Sequence, residues 1–211
     1  GAAMKDASVV FNFAALSDLN EALRKPVETA QINVMGNLNV LEACRRAGVE
    51  RFVYASSVYV SSRYGGFYRC SKQAAESFVQ EYQKTYDLQY TILRYGSLYG
   101  PRADVTNGLY RIVRRALETG RVSYEGSREA LREYIHVEDA ARASVTALGD
   151  EFVNQSGVLT GQEPMKVLDM LEMLSEILDC KRAVEFDEIE LVGHYKRTPY
   201  SYESNLGRKF I

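Results

Sequence analysis

Metal chemistry has little to work with in this sequence. It holds two histidines and three cysteines, and Cys44, Cys70 and Cys180 stand far apart without ligand spacing. Free thiols in a reducing cytoplasm are the simple expectation. No apolar run approaches the roughly 20 residues of a membrane-spanning helix, and no signal peptide begins the chain. An excess of one charge is also missing. Acidic residues number 28 against 26 Lys and Arg, with the signs interspersed, which excludes a broad basic footprint for nucleic acid.

What is present reads as an alternation of strand and helix signals, the mark of a parallel α/β sheet. Val9 to Phe13 is a short apolar run suited to a strand buried on both faces. After a polar stretch from Ser17 to Lys25, Pro26 opens a long amphipathic helix to about Ala47, with Gly48 as its stop. Arg51 to Ala55 and Gln89 to Arg94 read as strands, and Ser71 to Tyr86 as a helix with Tyr68 at or just before its first turn. Asn107 to Glu118, Val137 to Leu148 and Met165 to Leu178 complete the helices; Arg111 to Arg115 reads as a solvated face. From 193 to 202 the chain is aromatic and basic without period, a loop. At 211 residues it is long enough for one domain with a small second lobe.

The most informative local feature is Tyr68-Arg69-Cys70-Ser71-Lys72, shortly after Phe52-Val53-Tyr54-Ala55-Ser56-Ser57. A Tyr and a Lys four apart share one helix face, about a turn from each other. An ammonium there is expected to lower the phenol from its usual value near ~10 and make it a usable base. A Ser at a strand end can hydrogen-bond the same substrate oxygen. Ser57, nearer the strand end than Ser56, is the better candidate. Together they make a proton relay suited to oxidising an alcohol. Cys70 points to another side of the helix and has no expected role.

Several further blocks follow in a recognisable order. They are Val9-Val10-Phe11-Asn12-Phe13-Ala14-Ala15, then the run Ile32 to Ala43 with Asn33 and Gly36, then the strand ending in Ser56-Ser57 and the Tyr68/Lys72 pair. Leu93-Arg94-Tyr95-Gly96-Ser97-Leu98-Tyr99-Gly100-Pro101-Arg102 and Arg132-Glu133-Tyr134-Ile135-His136-Val137-Glu138-Asp139 come after them. With these blocks the chain, up to about Ala147, resembles the extended short-chain dehydrogenase/reductase family, nearest its NAD-dependent nucleotide-sugar epimerases and dehydratases of the UDP-glucose 4-epimerase type. The resemblance implies a Rossmann-like parallel sheet with a smaller α/β substrate-binding lobe. Residues 5–100 would be the remainder of a dinucleotide-binding domain, and 101–211 mainly the substrate lobe, with 133–150 returning to the first domain. In the family a Gly-x-x-Gly-x-x-Gly turn precedes these blocks and holds the cofactor pyrophosphate. Gly1 is the only glycine before Gly36, so the family's first strands are expected to be missing, whether from the gene, from the expressed segment or only from the sequence as it stands; Gly1-Ala2-Ala3-Met4 is compatible with an expression remnant before a start Met.

The resemblance also implies roles. Tyr68 would take the proton from a sugar hydroxyl as its carbon delivers hydride to NAD. Lys72 would hold the phenolate accessible and bind the nicotinamide ribose, and Ser57 would orient the sugar oxygen. Ala14 and Ala15 would line the cofactor cleft, Asn33 would brace the strand end beside it, and Tyr95 would meet the nicotinamide carboxamide. Ser97 stands where relatives carry an Asn that contacts substrate phosphate. Arg132 matches a residue that pairs with the nucleotide pyrophosphate, and Arg197 would be a second phosphate clamp. His136 and Asp139 read as structural.

The reaction subtype turns on the residues after Ser57. Dehydrating relatives place an Asp-Glu pair there, whereas this chain has Val58-Tyr59. A 4-epimerase acting on a UDP-sugar is therefore the leading expectation, as a homodimer or other self-association. The alternatives are a truncated, non-catalytic nucleotide-sugar-binding or interaction module, and a nucleotide-sugar reductase or dehydratase.

Overall fold

A computed structural model describes residues 4–180, 184–187 and 194–199. Its centre is a four-stranded parallel sheet in the order β1 (Val9–Asn12), β2 (Arg51–Ser57), β3 (Gln89–Tyr95) and β8 (Gln155–Leu159). Register runs Val9 to Arg51, Arg51 to Gln89, and Thr91 to Gln155. Period-two alternation sends Phe52, Tyr54, Tyr90 and Ile92 to one face, where they pack on Leu41, Ala75 and Val79. Val53 and Leu93 point the other way and meet Ala147. Burial on both faces explains why β2 reads as a continuous apolar run rather than an alternating one.

The first face is covered by the helices that follow β1 and β2. Asp18 accepts from the Glu21 backbone N–H at 2.7 Å and caps a short helix, α1 (Leu19–Arg24), inside the stretch expected to be irregular. Pro26 then opens a continuous helical path made of α2 (Pro26–Ala30), a π-helical turn (Gln31–Met35) and α3 (Gly36–Ala47). The wider turn sits where the sequence carries Asn33, a poor helix-interior residue whose amide competes for backbone partners. Gly48, with φ of 69°, ends α3 in the left-handed conformation.

After β2 come a 3₁₀ turn (Val58–Ser61) and α4 (Gly66–Tyr86), which starts earlier than helical periodicity alone predicts. Gly65 and Gly66 make this tight entry possible, with φ of 101° and 48°. A Cβ on Gly65 would lie 2.7 Å from the Tyr59 ring.

Beyond β3, β4 (Ser97–Tyr99) pairs in parallel with β7 (Tyr134–His136), which leads into α6 (Val137–Thr146). α5 (Gly108–Thr119) and α7 (Val167–Ile177) pack around Ala116, Val122, Ala130 and Leu171 in a separate apolar cluster. Here β5 (Ser123–Glu125) pairs with β10 (Glu185–Asp187), and β6 (Leu131–Arg132) pairs with β9 (Met165–Lys166). Met165 and Lys166, expected in the last helix, thus serve as strand. The chain re-enters the main sheet at β8, beyond the 133–150 span.

Candidate active site

The carboxyl ends of β2 and β3 open on a cleft of about 630 Å³, walled on the other side by α5, β5 and β6. Ser57, Tyr59, Tyr95 and Ser97 line it from the sheet side, and Arg111, Arg115, Arg132 and His194 from the other. Tyr68 and Lys72 lie behind Ser57, with 8% and 3% of their surfaces exposed, and do not line it. Ser57 is the side chain whose proximity acts on the Tyr68 phenol. Of the three, Ser57 is the one that lines the cleft. The short spacing from Ser57 to Tyr68 is bridged by the 3₁₀ turn and the Gly65-Gly66 entry to α4.

Electrostatics depart from the sequence expectation. Burial pushes the Tyr68 phenol up, with the Ser57 hydrogen bond pulling it partly back. Burial likewise pushes Lys72 down to about 8, against the opposing pull of Glu76. Lys72 donates from Nζ to the Ala55 carbonyl at 2.7 Å and stands 4.8 Å from the Tyr54 ring centroid and 5.9 Å from that of Tyr68. Burial thus shifts both groups toward their neutral forms, Lys72 remaining charged at neutral pH, and desolvation outweighs the attraction expected from helical spacing.

Ser56 faces away from the cleft. Its hydroxyl donates to Glu76 Oε1 at 2.5 Å, and Glu76 in turn holds Arg94 through two bonds of 3.0 and 2.7 Å. Strand alternation thus separates the two serines, placing Ser57 on the cleft and Ser56 on a buried ion pair.

Asn33 is 2% exposed and fully engaged. It accepts from the Leu16 N–H at 2.7 Å and donates to the Leu16 carbonyl at 3.0 Å and to Ser71 Oγ at 2.9 Å. Its amide is spent on bracing the loop after β1 against α4, next to Lys72. Ala14 is exposed and Ala15 half-buried past the end of β1, outside the cleft lining. Tyr95 lines the cleft while its hydroxyl bonds Ser144 on α6 at 2.6 Å. His136 caps α6, accepting from the Glu138 N–H.

Arg132 faces the cleft with its guanidinium 4.6 Å from the Tyr195 ring centroid. Arg197 does not: it is exposed and outside the lining. Arg111 and Arg115, read from sequence as a solvated face, are exposed and also line the cleft. Their i,i+4 spacing was the available signal. Nothing in the local sequence marked His194.

The model of the NAD dependent epimerase/dehydratase family matches residues 2–158. The chain belongs to this family. It is 27% identical over 198 residues to a UDP-glucuronate 4-epimerase of Thermodesulfobacterium geofontis, covering 85% of this chain and 59% of that one. It is 31% identical over 160 residues to a UDP-glucose 4-epimerase of Mycolicibacterium smegmatis, covering 67% of this chain and 50% of that protein. Among solved structures, a UDP-glucose 4-epimerase of Thermus thermophilus in complex with NAD superposes with a TM-score of 0.80 at 26% identity. That match covers 92% of this chain and 69% of the other. The family member described here thus spans only part of the length of such relatives. It shares their Rossmann-like parallel sheet. Among the described residues, no helix is long and apolar enough to cross a membrane and no acidic, His or Cys cluster could hold a metal.

Proposed function

We propose that this chain forms the catalytic and sugar-binding part of an NAD-dependent nucleotide-sugar 4-epimerase acting on a UDP-sugar. One observation carries the reading: Ser57, whose side chain acts on the buried Tyr68 phenol, opens on the same cleft as Arg132. A sugar diphosphate spanning that cleft would place its anionic end on guanidinium and a hydroxyl on the relay.

The residues present fit the nicotinamide-ribose end of NAD. Past the strand ends, Phe13 is 59% exposed and its ring centroid lies 6.2 Å from that of Tyr95, beside small Ala14 and Ala15. This is an open aromatic surface for a flat ring. The sequence contains no Gly-x-x-Gly-x-x-Gly turn for the pyrophosphate. When bound, NAD would accept a hydride from the sugar carbon and return it. Ser57 orients the sugar hydroxyl, and Tyr68 takes its proton and later gives it back. For the phenol to act as a base, Lys72 must leave Ala55 and bring its charge to Tyr68, a move within reach of its flexible stem. Val58 and Tyr59 after Ser57 supply no carboxylate for dehydration.

The test is incubation with UDP-glucose and NAD, followed by chromatographic separation of the sugar nucleotides. Appearance of the 4-epimer supports the reading; dehydrated product, or none from an enzyme that also carries a nucleotide-binding turn, rejects it. A second reading, a non-catalytic nucleotide-sugar-binding module, is favoured by the seclusion of Tyr68 and Lys72 behind the cleft wall. It predicts UDP-glucose binding without turnover in the same assay.

A further inference from the structure

The cleft contains a hydrogen-bonded pair that the relay does not use. Tyr59 Oη and His194 Nδ1 lie 3.1 Å apart, joining residues 135 positions apart in the chain. Tyr59 belongs to the 3₁₀ turn just past Ser57, and its ring stands edge-on to Tyr68 at 6.3 Å. On its other side it packs against Tyr195 at 4.8 Å, and Tyr195 in turn carries the Arg132 guanidinium. A continuous line of contacts therefore runs from Tyr68 to Arg132, with His194 on the cleft wall between them.

The hydrogen bond decides which imidazole nitrogen bears the proton. Among the described residues Nδ1 of His194 is the partner found for the Tyr59 hydroxyl. If Nδ1 carried the proton, the phenol hydrogen would have no protein acceptor among the contacts of the described residues. The hydroxyl therefore donates to Nδ1, and the imidazole keeps its proton on Nε2. The charged groups facing the ring are Arg132 from β6, Arg111 from α5 and Asp18 from the cap of α1. Burial and the two arginines hold the His194 pKa below its usual value, outweighing Asp18, so the ring is a neutral single donor in a positive field.

We propose that Tyr59 and His194 form a ligand-positioning pair. Tyr59 fixes the imidazole in its Nε2–H tautomer, and His194 donates from Nε2 to an anionic oxygen of the sugar diphosphate beside Arg132. This rests on the nucleotide-sugar reading above. Tyr59 is the positioning residue and His194 the one that touches ligand.

Two histidines in the chain make the imidazole nitrogen NMR spectrum simple to assign, with His194→Gln identifying the ring. The expected spectrum shows His194 in the Nε2–H form, and Tyr59→Phe relaxes it toward a tautomer mixture. UDP added to wild type shifts the Nε2 signal. By calorimetry, His194→Ala weakens UDP by about tenfold, whereas His194→Gln, whose amide N–H sits near the place of Nε2, recovers most of it. A wild-type ring protonated on Nδ1, or an Nε2–H preference unchanged by Tyr59→Phe, overturns the pair. UDP binding that Arg132→Met removes but His194→Ala leaves intact overturns the inference and spares the nucleotide-sugar reading. No UDP binding by wild type overturns both.

Discussion

Lys72 gives its ammonium to the Ala55 carbonyl at 2.7 Å and so ties the middle of the relay helix to the strand that ends in Ser57. The tie has a thermodynamic cost. The folded state binds this proton with a pKa of about 8 against an ordinary 10.5, because burial penalises the charge. Between those values the unfolded chain holds more protons than the folded one, so stability gains from this group as pH rises through the window. The charged lysine's burial penalty is fully present below pH 8 and is relieved above it. Lys72→Met is expected to stabilise the fold at neutral pH by up to about 3 kcal/mol, the size that such a shift represents. The gain shrinks toward the alkaline end of the window. Urea denaturation of both proteins at neutral pH and near pH 10 measures it, and a gain that increases with pH would refute this account.

Tyr68→Phe is expected to lower epimerase turnover by about a hundredfold or more, with nucleotide-sugar affinity nearly unchanged. Ser57→Ala costs less, since water can stand in for an orienting hydroxyl. Steady-state kinetics of these variants, in an enzyme that carries this segment together with a nucleotide-binding turn, decide the roles. Near-full activity of Tyr68→Phe removes it as the acid-base group.

The Glu76–Arg94 pair makes a separate stability prediction. Glu76 keeps 8% of its side chain exposed, Arg94 25%, and Ser56 adds a third contact. Glu76→Ala leaves a half-buried guanidinium without its partner and is expected to cost about 3 kcal/mol. Arg94→Met in the same background recovers part of that loss. A urea midpoint unmoved by Glu76→Ala would contradict the proposed weight of the pair.

NAD binding to this chain is expected to be weak or undetectable, because its sequence lacks the turn whose backbone N–H groups hold the pyrophosphate. Calorimetry settles the point. Low-micromolar affinity would show that the strand ends and Lys72 suffice.

Self-association is expected through the exposed apolar side chains of the covering helices. Val27 and Met35 are 69% and 54% exposed on the path from Pro26 to Ala47, and Phe67 and Phe78 are 47% and 39% exposed on α4. Met35→Glu with Phe78→Glu should reduce the apparent mass seen by light scattering. A clean monomer at high concentration in the unmodified chain would discard the prediction.

Much of the fold could be read along the chain because its causes are local. Strand β3 was visible in Thr91 and Ile92, α5 in the run from Asn107 to Glu118 stopped near Gly120, and the Tyr68/Lys72 pairing in simple helical spacing. The departures also had local roots. Asp18 made a helix out of a polar stretch, and Asn33 required a wider turn to bring its amide to Leu16 and Ser71.

Residue order and periodicity determined the α/β alternation, the placing of Ser57 at a strand end and the helix that carries the relay. Spacings of two and of three to four residues express backbone geometry, which each segment contains by itself. Tertiary structure alone decided that exposed Arg111 and Arg115 line a cleft while Arg197 lies outside it, and that His194 meets Tyr59 from 135 residues away. It also decided that Lys72 donates a hydrogen bond to the Ala55 carbonyl and that Tyr68 is held toward its neutral form. Desolvation depends on everything packed around a group, and most of that packing comes from distant parts of the chain.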